Sequence, residues 1–278
     1  MQKRVVSGIV GLALLVIMMI SHQIVLGISF FVFSLIGISE FYNSLSGLGY
    51  RPIKFIGFTS CLPVLLIGLN GVVNWIDNYV DLFASLVYFS MAVYIIFIVL
   101  LSYLIFRNKK YNIVDISLTI YGVLYIPFLM SFVVLTRNLT HGFYYVWFIF
   151  IGAWVTDTFA YFTGVLFGNR KIIPDISPKK TVEGTIGGVV GCAVITVIYG
   201  LWINTKLMNA IPVSHLVILG VINGIISQLG DWLASAIKRH TKIKDFGKIM
   251  PGHGGILDRF DSILLIGPVV YFYFRAFF

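Results

Sequence analysis

Charge is scarce in this chain. Of its 278 residues only 11% are charged, while 59% are hydrophobic. An average soluble domain carries about 25% charged and about 45–50% apolar residues. With so little polar surface available, a water-soluble globule and a disordered chain are both excluded. Cysteine is nearly absent: Cys61 and Cys192 both sit in apolar runs and form no CxxC pair, which excludes a disulfide scaffold and leaves two inert packing residues. No GxxxxGK[ST], GxSxG or HExxH sequence occurs, so neither a P-loop nucleotidase nor the commonest hydrolase sites are present. No soluble domain, internal repeat or low-complexity tract stands out. The apolar runs are long and continuous rather than alternating over about 10 residues, which argues against a membrane β-barrel. Membrane-spanning helices, which satisfy their own backbone polar groups, remain.

The fold expected is therefore an all-α polytopic membrane protein, one integral membrane domain over residues 1–278. A span needs about 20 mostly apolar residues, and nine are read at 5–22, 24–41, 55–75, 80–106, 113–136, 143–168, 184–204, 213–238 and 256–278. Ser21-His22-Gln23 makes a poor leader-cleavage site and a second apolar run follows at once, so the first helix is expected to be retained. Alternating the nine spans puts 16 of the 20 Lys and Arg residues on one face. Three (Arg137, Lys206 and Arg275) fall on the other, and Arg259 lies just inside the last span. By the positive-inside rule the basic face and the N-terminus are cytoplasmic and the C-terminus is outside. The net charge of +9 is thus a topology signal and not a nucleic-acid surface.

Ionisable groups inside spans are costly and usually functional. They are concentrated after residue 143, so residues 143–278 are expected to hold the catalytic helices and loops. Residues 1–140 read as bland lipid-facing helices of unclear role. Asp157 lies in the sixth span, on one helical face with Tyr161 and Gly164; a packing face with a single buried hydrogen bond is the plainer alternative. In the eighth span Gly220, Gly224, Ser227, Asp231, Ser235 and Lys238 fall within an arc of about 80°. The Gly and Ser part suits close helix packing. The Asp231-to-Lys238 part calls for water, a metal or a phosphate. The ninth span opens with GHGGILDRFD, which pairs Asp258 and Asp261 at i, i+3 beside Arg259. Oxygen ligands at this density suit Mg²⁺, commonly held by one or two carboxylates together with substrate phosphates; Asp231, Asp258 and Asp261 are the candidate metal ligands.

Two basic loops face these carboxylates. SPKKTVEGTIGG brings Ser177, Lys179, Lys180 and Thr181 to a glycine-rich helix start, a terminus whose N–H groups favour an anion. SAIKRHTKIKDFGKIMPGHGG supplies Ser235, Lys238, Arg239, Lys244, Lys248, His253, Gly254 and Gly255. Basic loops also serve topology and touch anionic headgroups, but that does not account for their interleaving with Gly, Pro, Ser and His next to intramembrane aspartates. Carboxylates, cations and glycine-rich backbone together suit phosphoryl or nucleotidyl transfer, where positioning and charge neutralisation dominate. An ion-coupled transporter is the alternative from another class.

At these residues the chain resembles the phosphatidate cytidylyltransferases, or CDP-diacylglycerol synthases. The family pattern S-x-x-K-R-x4-K-D is met by Ser235, Lys238, Arg239, Lys244 and Asp245. The pattern H-G-G-x-x-D-R-x-D is met by His253, Gly254, Gly255, Asp258, Arg259 and Asp261. Met250 stands where Leu, Ile or Phe is more usual. The SPKKTxEGxxGG loop and Gln228–Asp231 also match, so the likeness is specific over 155–262 and only hydropathic before. The resemblance implies transfer from CTP to phosphatidic acid, giving CDP-diacylglycerol and pyrophosphate, with Mg²⁺ as one or two ions. It also implies a homodimer in a bacterial inner membrane with the active site facing the cytoplasm. Asp231, Lys238, Arg239, Lys244, Asp258, Arg259 and Asp261 would be catalytic. Ser177, Lys179, Lys180, Thr181, Ser235, His253, Gly254, Gly255 and Asp157 would bind substrate. A cytidylyltransferase acting on another lipid phosphate is the near alternative.

Overall fold

The computed structural model describes residues 2–73, 111–207, 210–250 and 252–278. The regular structure of the described residues is all helical, with two isolated bridges and no strand among them. Its elements are α1 (Gln2–Ile20), α2 (Gln23–Ser46), α3 (Lys54–Thr59) and α4 (Leu62–Val73), then α5 (Ile113–Arg137) and α6 (Gly142–Phe167). They continue with α7 (Val182–Asn204), α8 (Val213–His240) and α9 (Leu257–Phe277).

Six of these, α2 and α5 to α9, are long and apolar enough to cross a membrane. The chain is an integral membrane protein, and its surface is consistent with that. On α7 the exposed side chains are Ile186, Val190, Val194, Ile198, Leu201 and Trp202, a single apolar stripe at helical spacing that suits hydrocarbon rather than water. The expected span 80–106 lies outside the described residues. The expected span 55–75 is not one helix but two, α3 and α4, broken at Ser60-Cys61. The cause is Pro63 in the first turn of α4: proline has no N–H to continue the preceding helix and is tolerated only at a helix start. In α5, Pro127 is absorbed by a wider turn over Leu124–Phe128, the usual way a helix passes an unmade backbone bond.

Helix packing after residue 142 is set by small residues. Along one face of α7, Gly184, Gly187, Gly188 and Gly191 lie against Ala160, Thr163, Thr156 and Phe159 of α6, with no room for a β-carbon. On α8, Gly220 and Gly224 lie against Ala193, Val189 and Cys192 of α7, and Gly230 lies against the backbone of Asp261 and Ser262 on α9. Lipid is as apolar as leucine, so close van der Waals approach drives such contacts. The small end of the α8 stripe is therefore a packing surface. Asn223 and Gln228, buried in the same helix, donate to the carbonyls of Phe148 (3.3 Å) and of Thr185 (3.1 Å), tying α8 to α6 and α7. Gln228 and Gly230, just before Asp231, thus fix the height at which the polar end begins.

Candidate active site

The polar ends of α6, α8 and α9 meet the 169–181 and 241–256 loops at one end of the bundle. The first loop is stitched back onto α7. Glu183, in the first turn of α7, accepts the N–H groups of Asn169 (3.1 Å) and Arg170 (3.3 Å). Val182 N–H donates to the Arg170 carbonyl at 2.9 Å, and Ile172 N–H to the Lys180 carbonyl at 3.2 Å. Thr181 caps α7, its Oγ1 accepting the Gly184 N–H at 3.1 Å, as Thr commonly does. Arg239 at the end of α8 donates from Nε to the Ile176 carbonyl at 3.3 Å. Thr181 and the α7 glycines, expected to cradle an anion, are engaged in capping and in packing on α6. Ser177 sits half-buried in the turn before them, and Lys179 is exposed.

This stitching carries the Lys180 ammonium to the Asp231 carboxylate and 5.8 Å above the Trp232 ring. Loss of water pushes the Lys180 pKa down to about 8, against the opposing pull of Asp157 and Asp261 and with a further push from Lys238. Ser235, one turn beyond Asp231, donates to its Oδ1 at 3.4 Å. Asp157 is within electrostatic reach of Lys180 and Arg259, and Asp261 of Lys238, Asp157 and Arg259. Asp157, Asp231 and Asp261 thus surround a single ammonium. The face expected to join Asp157 to Tyr161 and Gly164 divides: Gly164 closes on Thr181 and Gly184, whereas Tyr161 is 66% exposed.

Asp258 sits differently. Its side chain is only 2% exposed. Oδ1 accepts Lys238 Nζ at 2.9 Å, and Oδ2 accepts the N–H groups of Phe246 (2.7 Å) and Gly255 (2.9 Å). Lys238 also lies 5.5 Å over the Phe246 ring. One carboxylate therefore closes the 241–256 loop onto α8 and α9. Gly254 shows why glycine is needed there. Its φ is +86°, and an added β-carbon would come within 2.7 Å of Asp258 Oδ2. Gly49 has φ +89° with nothing within 4 Å. Gly49→Ala should therefore cost only the left-handed backbone penalty of about 1–2 kcal/mol. Gly254→Ala should add displacement of Asp258 and lose turnover as well as stability. Melting in detergent beside activity checks this, and equal activity in the two variants would contradict it.

Outside this core, Lys244, Asp245, Gly247, Lys248, Met250, Gly252, His253, Gly254 and Arg259 line an open recess of about 440 Å³. His253 is tied to α1, its Nδ1 lying 3.0 Å from Ser7 Oγ. Lys179, Arg239, Lys244, Lys248 and Arg259 remain exposed around the cluster.

One residue of the site falls in the half read as bland. Glu40 of α2 is 6% exposed. It accepts the N–H groups of Ile256 at 3.1 Å and Leu257 at 2.9 Å, where α9 begins. The signal was present: a lone carboxylate in an apolar run, the same signal that marked Asp157.

The family profile of the cytidylyltransferases matches residues 2–277, nearly the whole chain. The chain belongs to the cytidylyltransferase family. Among its relatives, the phosphatidate cytidylyltransferase of Staphylococcus saprophyticus is 30% identical over 274 residues, covering 97% of both chains. That of Staphylococcus haemolyticus is 31% identical over the same length, again with 97% of each chain covered. That of Bacillus subtilis is 38% identical over 181 residues, 65% of this chain and 66% of the relative. This cytidylyltransferase is thus a nucleotidyl-transferring enzyme of lipid biosynthesis, and the transporter reading is set aside. The relatedness extends through α1 and α2, well beyond the 155–262 region that carries the motifs.

Proposed function

We propose that this cytidylyltransferase joins CTP to phosphatidic acid, releasing pyrophosphate and leaving CDP-diacylglycerol in the membrane. The observation that carries the reading is the Lys180–Asp231 pair beside the Lys238–Asp258 pair, ringed by exposed cations. Such an array suits two polyanions that must approach each other. A phosphate oxygen of the lipid attacks the α-phosphorus of CTP, a new P–O bond forms, and the bond to the bridging oxygen of pyrophosphate breaks. The attacking group is already an anion, so no general base is needed; the barrier is charge repulsion, which preorganised cations lower. Lys180, released from Asp231, would bind the triphosphate together with Lys179 and Arg239. Lys244, Lys248 and Arg259 would hold the lipid phosphate, with its acyl chains remaining in the bilayer.

Asp258 is fully engaged in holding Lys238 and the loop, which leaves Asp231 and Asp261, with Asp157 nearby, as the carboxylates for Mg²⁺. Among the described residues no three His, Cys, Asp or Glu side chains converge as a cage. The donor set is of the kind that holds Mg²⁺ jointly with substrate phosphates, and the Lys180 ammonium marks where a cation is favoured. When bound, the ion supplies neutralisation of the triphosphate. The topology that fits is nine spans with the N-terminus and the site on the cytoplasmic side, where CTP is found, and the C-terminus outside.

The test is incubation of the purified chain with labelled CTP, with and without Mg²⁺, against a panel of lipid phosphates. Labelled CDP-diacylglycerol from phosphatidate, with pyrophosphate released one for one, is the expected result. Preference for a different lipid phosphate would shift the reading within the family, and no labelled lipid from any of them would end it.

A further inference from the structure

α9 starts without a capping side chain of its own: Ile256 occupies the cap position and makes no side-chain cap bond. The first N–H groups of a helix need partners, and here they come from Glu40, 216 and 217 residues earlier in the chain. A carboxylate at that point also suits the positive end of the helix dipole. The fit is tight on both sides. A β-carbon on Gly255 would run into the Glu40 carboxylate, and so would one on Gly247. α1 touches the same loop, with Ser7 on His253 and Gly8 and Gly11 against His253 and Met250.

We infer that Glu40 is a positioning residue for the transfer reaction: it sets the height of the Gly255–Asp261 turn relative to α8. The assignment rests on the reading above. The turn held by Glu40 carries Asp258, which holds Lys238, and Asp261 and Arg259, which face Asp157. If the turn moves, Asp258, Arg259 and Asp261 move together relative to the substrate and to Lys238, which stays on α8. Lys180 does not move either, because the 169–181 loop is fixed by its own bonds to α7 and to Arg239. Loss of Glu40 therefore acts on the chemical step more than on CTP binding. Through this carboxylate α2 becomes part of the catalytic apparatus.

The experiment is turnover by the purified full chain with CTP and phosphatidate. Wild-type product establishes the reaction, and only the ratio of variant to wild type bears on Glu40. In Glu40→Gln one amide face offers donors to a donor, so one of the two bonds is lost. kcat should fall about 10- to 100-fold, while KM for CTP stays within about threefold. A second variant separates positioning from general stability. Gly255→Ala pushes directly on Glu40 and should lower kcat at least about tenfold in the wild-type background. In a Glu40→Ala background the space is vacated, and the same change should cost no more than about twofold further. Wild-type kcat in Glu40→Gln overturns the inference. So does an equal effect of Gly255→Ala in both backgrounds, or a loss confined to the amount of folded protein with normal turnover per folded molecule. Where Glu40→Gln yields no folded chain, Gly255→Ala decides alone, and wild-type turnover there overturns the assignment.

Discussion

Asp258→Asn is expected to abolish CDP-lipid formation, with turnover per folded molecule at least about 10³-fold below wild type. The carboxylate serves three donors at once: Lys238 on one oxygen, and the Phe246 and Gly255 N–H groups on the other. Asparagine keeps the shape but turns one acceptor into a donor. If its amide nitrogen faces Lys238, an ammonium is left against a donor in a site only 2% exposed on the aspartate side and 14% on the lysine side. If it faces the loop, two backbone N–H groups are orphaned. Breaking a buried pair of this kind costs about 3–5 kcal/mol, so a lower melting temperature in detergent should accompany the lost activity. The two effects separate by measuring turnover per folded molecule. Near wild-type turnover in folded Asp258→Asn would falsify the role given to this carboxylate.

Lys180→Met should behave in the opposite way on stability. The Lys180 and Asp231 side chains are 27% and 24% exposed, and pairs with that much access to water contribute little to folding. The melting temperature should move by only a degree or two on the scale of about 2 °C per kcal/mol expected at this size. Activity should not be spared. The ammonium lies among Asp157, Asp231 and Asp261, and without it CTP brings its phosphates toward three carboxylates that have lost their shared cation. kcat/KM for CTP is expected to fall about 10²- to 10³-fold. Lys180→Arg should recover only part of that, since a planar guanidinium does not replace a compact ammonium in a fitted site. A kcat/KM for Lys180→Met within about threefold of wild type would remove Lys180 from the phosphate-binding set.

Most of the site's membership was legible along the chain, because charge inside an apolar run is conspicuous. Asp157, Asp231, Lys238, Asp258 and Asp261 stood out against hydrophobic neighbours, and helical spacing alone put Asp231, Ser235 and Lys238 on one face. The roles were less legible. Asp258 and Asp261 look alike as an i, i+3 pair, yet one is saturated by a loop and a lysine while the other faces Asp157 and Arg259. No one-dimensional pattern distinguishes a carboxylate that holds a loop from one left facing other charged side chains. The glycines of the Thr181–Gly188 segment show the same limit. Glycine permits both an anion cradle and close helix contact, and the partner helix α6 decided for contact.

Within one expected span, local chemistry overrode hydropathy. The 55–75 run is apolar enough for one helix, but Pro63 divides it. Glu40 was missed for a different reason: its partners are more than 200 residues away, and a single carboxylate near the end of a span also reads as a boundary.

Composition and order of residues by themselves determined that this protein lives in a membrane, that it is helical, and that its intramembrane aspartates adjoin basic glycine-rich loops. These follow from local energetics, the cost of an unmade hydrogen bond or an uncompensated charge in lipid, which each segment carries on its own. Only the tertiary structure decided which carboxylate faces which cation and that α2 reaches across to start α9. Those depend on pairwise distances between segments far apart in the chain, and electrostatic and hydrogen-bond energies are set by distance and burial rather than by identity.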